Sequence, residues 1–116
     1  SGDVGKHVVV IGIGAMGGGM ARALLDSPVT NLVIGYDRST EVVDTFFQES
    51  QTASKAGKSP PQSLRESISE CSDFAILSLV NEPQCEQVCF GEGDNLLNLM
   101  PKGSCVILTS TVTGEL

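Results

Sequence analysis

Short apolar runs alternate with amphipathic stretches along most of this 116-residue chain. The run from His7 to Ile11 is continuously apolar after its first residue and rich in β-branched residues, which predicts a central strand. Similar runs at Leu32–Tyr36, Phe74–Val80 and Cys105–Leu108 predict three more strands. Strands that alternate with helical segments in this way indicate an α/β fold with a mostly parallel sheet.

The segments between these strands carry helical signals. Met16, Met20 and Leu24 recur at helical spacing, and Pro28 closes this first helical region. Ser39 stands at the position of an N-cap for a second helix. The remaining signals predict a capped short helix from Ser63 to about Cys71, a helix that starts at Asn81-Glu82-Pro83 and is stopped by Gly91 and Gly93, and a short helix over Leu96–Met100.

Three stretches carry weaker signals. Thr52–Ser59 is small and polar with one glycine, which predicts a loop or a weak edge strand. Thr113–Leu116 resembles the start of a helix that is not completed, so we interpret the chain as an excised domain or fragment. Ser1-Gly2 fits the remnant of a cleaved tag, and residues 3–116 are interpreted as one domain.

Composition narrows the classes of function. Apolar residues make up 41% of the chain and aromatic residues 4%, so the core must consist mainly of aliphatic side chains. Fourteen acidic residues against seven basic ones give a formal charge of −7, which disfavours nucleic acid as a partner. No segment approaches the roughly 20 apolar residues of a membrane span, and no signal peptide opens the chain. We therefore expect an intracellular location, cytoplasmic rather than organellar, and no membrane partner.

The four cysteines include no C-x-x-C pair, and we interpret them as reduced structural thiols. Cys85 and Cys89 lie one helical turn apart and could in principle share a metal ion. His7 is the only histidine, however, so further ligands are hard to find. We expect no metal site.

The segment Gly12-Ile13-Gly14-Ala15-Met16-Gly17 matches G-x-G-x-x-G directly after a predicted strand and at the start of a predicted helix. In that place Gly12 permits the tight turn, Gly14 lets the backbone approach a pyrophosphate, and Gly17 permits close packing of helix on strand. This predicts a Rossmann-type, doubly wound fold that holds a dinucleotide. A turn that binds nothing, or one that serves a mononucleotide or a flavin, is the alternative.

The residues after the second predicted strand bear on the choice of dinucleotide. Asp37 lies 20 residues after Gly17, where a carboxylate accepts hydrogen bonds from the ribose hydroxyls of NAD and repels the 2′-phosphate of NADP. Arg38 could instead stack on adenine or grip that phosphate with the help of Ser39, or it could be a solvated loop residue. We expect NAD(H), with NADP(H) as the alternative.

The stretch Gly12–Ala21 resembles the N-terminal signature of the β-hydroxyacid dehydrogenases, a family that includes 3-hydroxyisobutyrate dehydrogenase, tartronate semialdehyde reductase and, more distantly, 6-phosphogluconate dehydrogenase. Three later stretches agree with the family in order and spacing, namely Asp73–Val80 with the Asn81-Glu82-Pro83 that follows, Phe90–Gly93 and Thr109–Thr113. The family usually has a proline where Thr113 or Gly114 stands here.

The resemblance implies roles for particular residues. Ser110 and Thr111 would contact the substrate carboxylate or the nicotinamide, unless they are ordinary polar residues at a strand end. The residues that would bind the cofactor are Gly12, Ile13, Gly14, Ala15, Met16, Gly17, Asp37, Arg38, Ser39, Leu79, Val80, Asn81 and Thr111.

The resemblance also implies an activity. Members of the family transfer a hydride between a nicotinamide cofactor and a small 3-hydroxy acid, with a lysine of a second, helical domain as general base. No lysine of this chain has the matching context, so we expect the fragment to bind cofactor without turnover, and only the full-length protein to form a homo-oligomer. The alternatives are a non-catalytic dinucleotide-binding or assembly module and a related reductase of the imine or ketopantoate type.

Overall fold

A parallel sheet runs through the centre of the computed structural model, which describes residues 6–69, 73–79, 82–101 and 103–108. Within these residues the sheet has four strands in the order β2-β1-β3-β4, and every pairing is parallel. The elements along the chain are β1 (Lys6–Ile11), α1 (Ala15–Leu25), β2 (Thr30–Tyr36), α2 (Thr40–Thr52), α3 (Leu64–Ser69), β3 (Phe74–Leu77), α4 (Glu82–Phe90), α5 (Leu96–Leu99) and β4 (Cys105–Leu108).

The strand order reverses direction at β1. From β1 the chain passes to β2 on one side, and it later returns to β3 and β4 on the other side. The predicted doubly wound α/β fold is therefore confirmed. In open sheets of this kind, ligands bind outside the carboxyl ends of the strands at the point of reversal. Here that point is the end of β1 and β3, at Ile11 and Leu77.

The core forms two layers because successive side chains of a strand point to opposite faces. Val9 and Ile11 of β1 belong to a cluster with residues of α3 and α5, whereas Val8 and Val10 belong to a cluster with residues of α1 and α2. All four side chains are at most 4% exposed. The continuous apolar run at the start of the chain is thus explained by burial on both faces of the central strand.

The side-chain caps predicted for two helices are present. The Ser39 hydroxyl accepts a hydrogen bond from the Val42 N–H (3.4 Å), which confirms the predicted cap of α2. The Ser63 hydroxyl accepts from the Glu66 N–H (3.2 Å), as predicted for α3. In a capping box, the acidic side chain accepts a hydrogen bond from the N–H of the cap residue itself. Here the Glu66 carboxylate accepts instead from the N–H of Gln62 (2.8 Å), one residue before the cap.

Two boundaries differ from the sequence-based expectation. No strand forms over 52–59; α2 continues to Thr52, and Ser54 then adopts a positive φ of 61°. This turn brings the carbonyl of Lys55 to the Val33 N–H (3.0 Å), a single bond to the edge of β2. The strand predicted for Phe74–Val80 ends at Leu77, because its partner β1 ends at Ile11. Val80 and Cys71 lie outside the described residues.

Among the helices that the structure describes, none has the length and apolar character needed to cross a lipid bilayer. The longest of them, α2, has 13 residues and buries one side, at Val43, Phe46 and Ser50. Its outer side is exposed at Glu41, Asp44 and Gln48. Such a helix covers a sheet.

Gly35 of β2 leaves room for an aromatic ring. A Cβ atom at this position would lie 2.6 Å from Cδ2 of Phe46 and 3.0 Å from Cδ1 of Ile13. Both neighbours are buried, at 2% and 4% exposed, so neither can move aside without disturbing the core. Gly19 on α1 is different, since a Cβ atom there would meet no atom of another described element within 4 Å.

These two glycines therefore predict opposite effects of the same substitution. Gly35→Ala should lower the free energy of unfolding by about 1–2 kcal/mol through overpacking against Phe46 and Ile13. Gly19→Ala should raise it by about 0.5–1 kcal/mol because alanine is the better helix former. Urea denaturation of both variants checks this, and an unchanged midpoint for Gly35→Ala would contradict the packing described above.

Candidate functional site

The glycine turn lies where three strand ends meet. Gly12 follows the last residue of β1 with a positive φ of 91°, and its N–H donates to the carbonyl of Tyr36 at the end of β2 (2.8 Å). On the other side, the N–H of Ser78 donates to the carbonyl of Ile11 (2.8 Å). The turn is thereby fixed to both neighbouring strands, at the position where a doubly wound fold forms its crevice.

The fold itself requires two of the glycines in the motif. A Cβ atom on Gly12 would overlap the carbonyl oxygen of Ser78 and lie 2.9 Å from Cδ2 of Leu79. A Cβ atom on Gly17 would overlap the carbonyl oxygen of Gly12. Because both obstacles are backbone atoms, α1 can pack this closely on the end of β1 only with glycine at these positions.

Gly14 is not required by any neighbour of this kind. Among the described residues, a Cβ atom there would meet nothing within 4 Å beyond the adjoining backbone, and the residue is exposed with a negative φ of −71°. Gly14 is the N-cap of α1, where no side chain caps the helix and no acidic residue stands in the first turn. Open space at the positive end of a helix dipole is a site that favours an anion.

The carboxylate of Asp37 lies against this turn. Its Oδ2 accepts a hydrogen bond from the N–H of Ile13 (3.0 Å), and its Oδ1 accepts from the N–H of Ser39 (3.1 Å). The position at the end of β2 agrees with the prediction for Asp37, whereas the bond to Ile13 was not predicted. A carboxylate has about four acceptor directions, so the two oxygens can each accept one further hydrogen bond from a ligand.

The other predicted cofactor residues divide into two groups. Arg38 and Ser39 are exposed next to Asp37, and Leu79 is half-buried beside Gly12. The structure thus brings the turn, Asp37, Arg38, Ser39 and Leu79 to one edge of the sheet, with Ala15 and Met16 as the first residues of α1. Four predicted residues lie outside the described part of the chain: Val80, Asn81, Ser110 and Thr111.

Ser78 was missed by sequence reasoning. Its carbonyl lies against Gly12, and its Cβ would be 3.1 Å from a Cβ atom placed on Gly17. A small residue is needed here because β3, the turn and α1 converge. The sequence does contain a sign of this role. Ser78 lies between Leu77 and Leu79 at the end of an apolar run, where the pattern predicts a larger side chain.

A cation near the turn is already engaged. Arg22 of α1 forms an ion pair with Glu49 of α2 (2.6 Å), and its Nε and Nη2 atoms bind the two carboxylate oxygens. The hydrogen bond and charge of Glu49 raise the pKa of Arg22 above its ordinary value. With both side chains more than a third exposed, the pair adds little stability. Anion binding at the turn would therefore depend on backbone N–H groups.

A comparison with protein families identifies the family of the chain. The sequence profile of the NAD binding domain of 6-phosphogluconate dehydrogenase matches residues 7–116. The chain belongs to this family. It is a nicotinamide-dinucleotide-binding domain of the β-hydroxyacid dehydrogenase type, and the G-x-G-x-x-G turn described above lies inside the matched region.

Two curated relatives agree with this assignment. An L-threonate dehydrogenase of Cupriavidus necator is 35% identical over 107 residues, which cover 92% of this chain and 32% of the relative. An L-threonate dehydrogenase of Pectobacterium atrosepticum is 28% identical over 108 residues, which cover 93% of this chain and 32% of the relative. The chain thus spans about a third of the length of these relatives.

A solved structure agrees with the fold. A reductive aminase from Aspergillus terreus, in complex with NADPH4, cyclohexanone and allyl amine, superposes with a TM-score of 0.63 at 18% sequence identity. The match covers 95% of this chain and 34% of the aminase chain. At this identity the likeness concerns the fold alone, and it supports the arrangement of helices on both faces of a parallel sheet.

The different surroundings of the glycines lead to a prediction about stability. Gly17→Ala should lower the free energy of unfolding by about 3 kcal/mol, the upper end for overpacking, because the obstructing atom belongs to the backbone of Gly12. Gly14→Ala should cost less than about 1 kcal/mol, since only the N-cap preference for glycine over alanine is lost. Urea titrations measure both values. Equal losses would contradict the view that Gly14 faces open space.

Proposed function

We propose that the glycine turn holds the pyrophosphate of NAD(H), and that Asp37 binds the adenosine ribose, in an oxidoreductase that acts on a small hydroxy acid. The observation that carries this proposal is the open space at Gly14. Gly12 and Gly17 are explained by contacts within the protein, whereas among the described residues no atom beyond the adjoining backbone lies within 4 Å of a Cβ atom on Gly14. A pyrophosphate bound at the start of α1 would explain this glycine, because the absence of a Cβ atom lets the phosphate approach the backbone.

The geometry of Asp37 favours NAD(H) over NADP(H). Its carboxylate binds the N–H groups of Ile13 and Ser39, so it can rotate away from a ligand only by breaking two hydrogen bonds. The 2′-phosphate of NADP would bring a second negative charge against this fixed one, whereas a ribose diol can donate to it. Glu41 in the first turn of α2 adds to the negative charge near that position.

Arg38 supports the alternative cofactor. It is exposed at the same corner, and a guanidinium is well suited to bind a phosphate. To accommodate NADP(H), however, Arg38 would have to offset both Asp37 and Glu41. The charges of the described residues at this corner therefore favour the unphosphorylated ribose.

The relatives guide the proposal for the substrate. Both are named L-threonate dehydrogenases, and threonate is a small acid that carries several hydroxyl groups. We extend this to the present chain as a small hydroxy acid, with oxidation at the C3 hydroxyl as the specific form. Ser110 and Thr111 are the proposed contacts to its carboxylate, by family resemblance. The bound nicotinamide supplies the hydride chemistry, and the protein supplies orientation and proton transfer.

Two of the described lysines, Lys6 and Lys55, are poorly placed for that proton transfer. Lys6 opens β1, at the amino end of the sheet. The ammonium group of Lys55 donates to the Ser27 carbonyl (2.6 Å) and the Thr30 hydroxyl (2.9 Å), which also lie at the amino end, before and at the start of β2. The glycine turn lies at the opposite, carboxyl end. We therefore propose that the general base comes from residues beyond Leu116.

Isothermal titration calorimetry of this chain tests the cofactor assignment. We expect NADH to bind at least about tenfold more tightly than NADPH, because of the charge on Asp37. Gly14→Ala should weaken NADH binding by more than about tenfold while it leaves urea stability nearly unchanged. Tighter binding of NADPH than of NADH would indicate that Arg38, and not Asp37, determines which ribose is bound. If neither cofactor binds at millimolar concentration, the proposed function is refuted.

A turnover assay tests the placement of the general base. The chain alone should reduce no NAD⁺ with L-threonate or other small hydroxy acids, because Lys6 and Lys55 both lie at the amino end of the sheet, away from the glycine turn. The reaction is followed by the absorbance of the reduced nicotinamide of NADH. Cofactor-dependent activity of the chain would show that one of its own residues performs the proton transfer.

A further inference from the structure

We propose that Asp37 also positions the pyrophosphate turn, so that it strengthens binding of a part of the ligand that it does not touch. This inference rests on the proposed dinucleotide function. The recognised role of an acid at this position is to bind ribose hydroxyls. The contact of Oδ2 with the Ile13 N–H (3.0 Å) adds a second role inside the protein.

Ile13 is the residue through which the turn is held. Its side chain is 4% exposed and belongs to the same core cluster as Phe46. Its N–H is bound by a carboxylate rather than by a backbone carbonyl, unlike the N–H of Gly12, which donates to Tyr36. A hydrogen bond to a charged acceptor is about twice as strong as one between neutral groups. Asp37 therefore fixes the backbone between the two glycines that precede α1.

The same carboxylate links the turn to a second element. Oδ1 accepts from the N–H of Ser39, the N-cap of α2, while Oδ2 holds the turn that precedes α1. Asp37 thus bridges the starts of two helices that are otherwise connected through the core and through the ion pair between Arg22 and Glu49. Without the bridge, the Ile13 N–H would lose its hydrogen bond, and binding would include the entropic cost of fixing that part of the turn.

A ligand without ribose hydroxyls separates the two roles. 2′,3′-Dideoxy-ADP keeps the pyrophosphate of ADP but lacks both hydroxyls that Asp37 could bind. We expect Asp37→Ala to raise the dissociation constant of dideoxy-ADP by about tenfold, and that of ADP by a larger factor. Dissociation constants are measured by NMR titration of this chain. Asp44→Ala, which removes an exposed carboxylate from α2, is the matched control and should leave both constants unchanged.

The outcomes distinguish this inference from the proposed function. If Asp37→Ala weakens ADP alone and leaves dideoxy-ADP unchanged, Asp37 acts only on the ribose; the positioning role is then wrong and the proposed function stands. If the wild-type chain binds none of ADP, dideoxy-ADP and NADH, the proposed function fails and the inference fails with it. If Asp44→Ala also lowers the affinity for both nucleotides, the effect comes from the net charge of the chain and not from the position of Asp37, and the inference is overturned.

Hydrogen exchange gives a readout that does not depend on ligand binding. In wild-type chain the Ile13 amide should exchange slowly, because its N–H is bound to Asp37. Asp37→Asn keeps one acceptor oxygen and the size of the side chain, so it serves where the alanine variant does not fold. Because the single Asn oxygen cannot accept from both the Ile13 and the Ser39 N–H groups, the amide of one of these two residues should exchange at least about tenfold faster in Asp37→Asn than in Asp44→Ala. The Ile13 amide should do so in Asp37→Ala. Equal exchange of both amides in Asp37→Asn and Asp44→Ala would overturn the positioning role.

Discussion

The parallel pairing of β1 with a strand on each side is the constraint on which the site depends. Because the three strands are parallel and in register, Ile11, Tyr36 and Leu77 end at the same edge of the sheet. The chain must leave β1 between two neighbours, and only a tight turn with a positive φ at Gly12 allows this. The turn then directs α1 back over the sheet. The crevice is thus a consequence of strand order before any ligand is considered.

The glycines of the motif show how fold and function share one short segment. Gly12 and Gly17 are needed for the backbone to close, since a side chain at either would overlap another backbone carbonyl. Gly14 lies between them and has no such neighbour. A motif that is usually interpreted as one unit therefore contains two positions required by the fold and one, Gly14, that we propose faces the ligand. Stability and affinity can be separated experimentally at this turn because different residues determine them.

The sequence predicted the strands well because each is a short apolar run and the central one is buried on both faces. The caps at Ser39 and Ser63 were also predicted, since a helix cap is a local signal of a few residues. The end of β3 was not, because it depends on where the partner strand β1 ends. The contact between Asp37 and Ile13 spans 24 residues, and no local pattern reports it. What the sequence could not supply was therefore long-range geometry.

The charge distribution explains how an acidic chain can favour a dinucleotide. A net charge of −7 opposes a phosphate in solution, but the phosphate end of the site presents backbone N–H groups at the start of α1, with no acidic residue in its first turn. The ribose end presents Asp37, and Glu41 lies in the next turn. A ligand with phosphates at one end and a diol at the other matches this polarity, whereas a ligand with phosphates at both ends does not. In the proposed site, the carboxylate that would oppose the extra phosphate of NADP also holds the turn proposed to accept the pyrophosphate. Selectivity and preorganisation would then be properties of one side chain, and a change of Asp37 would affect both.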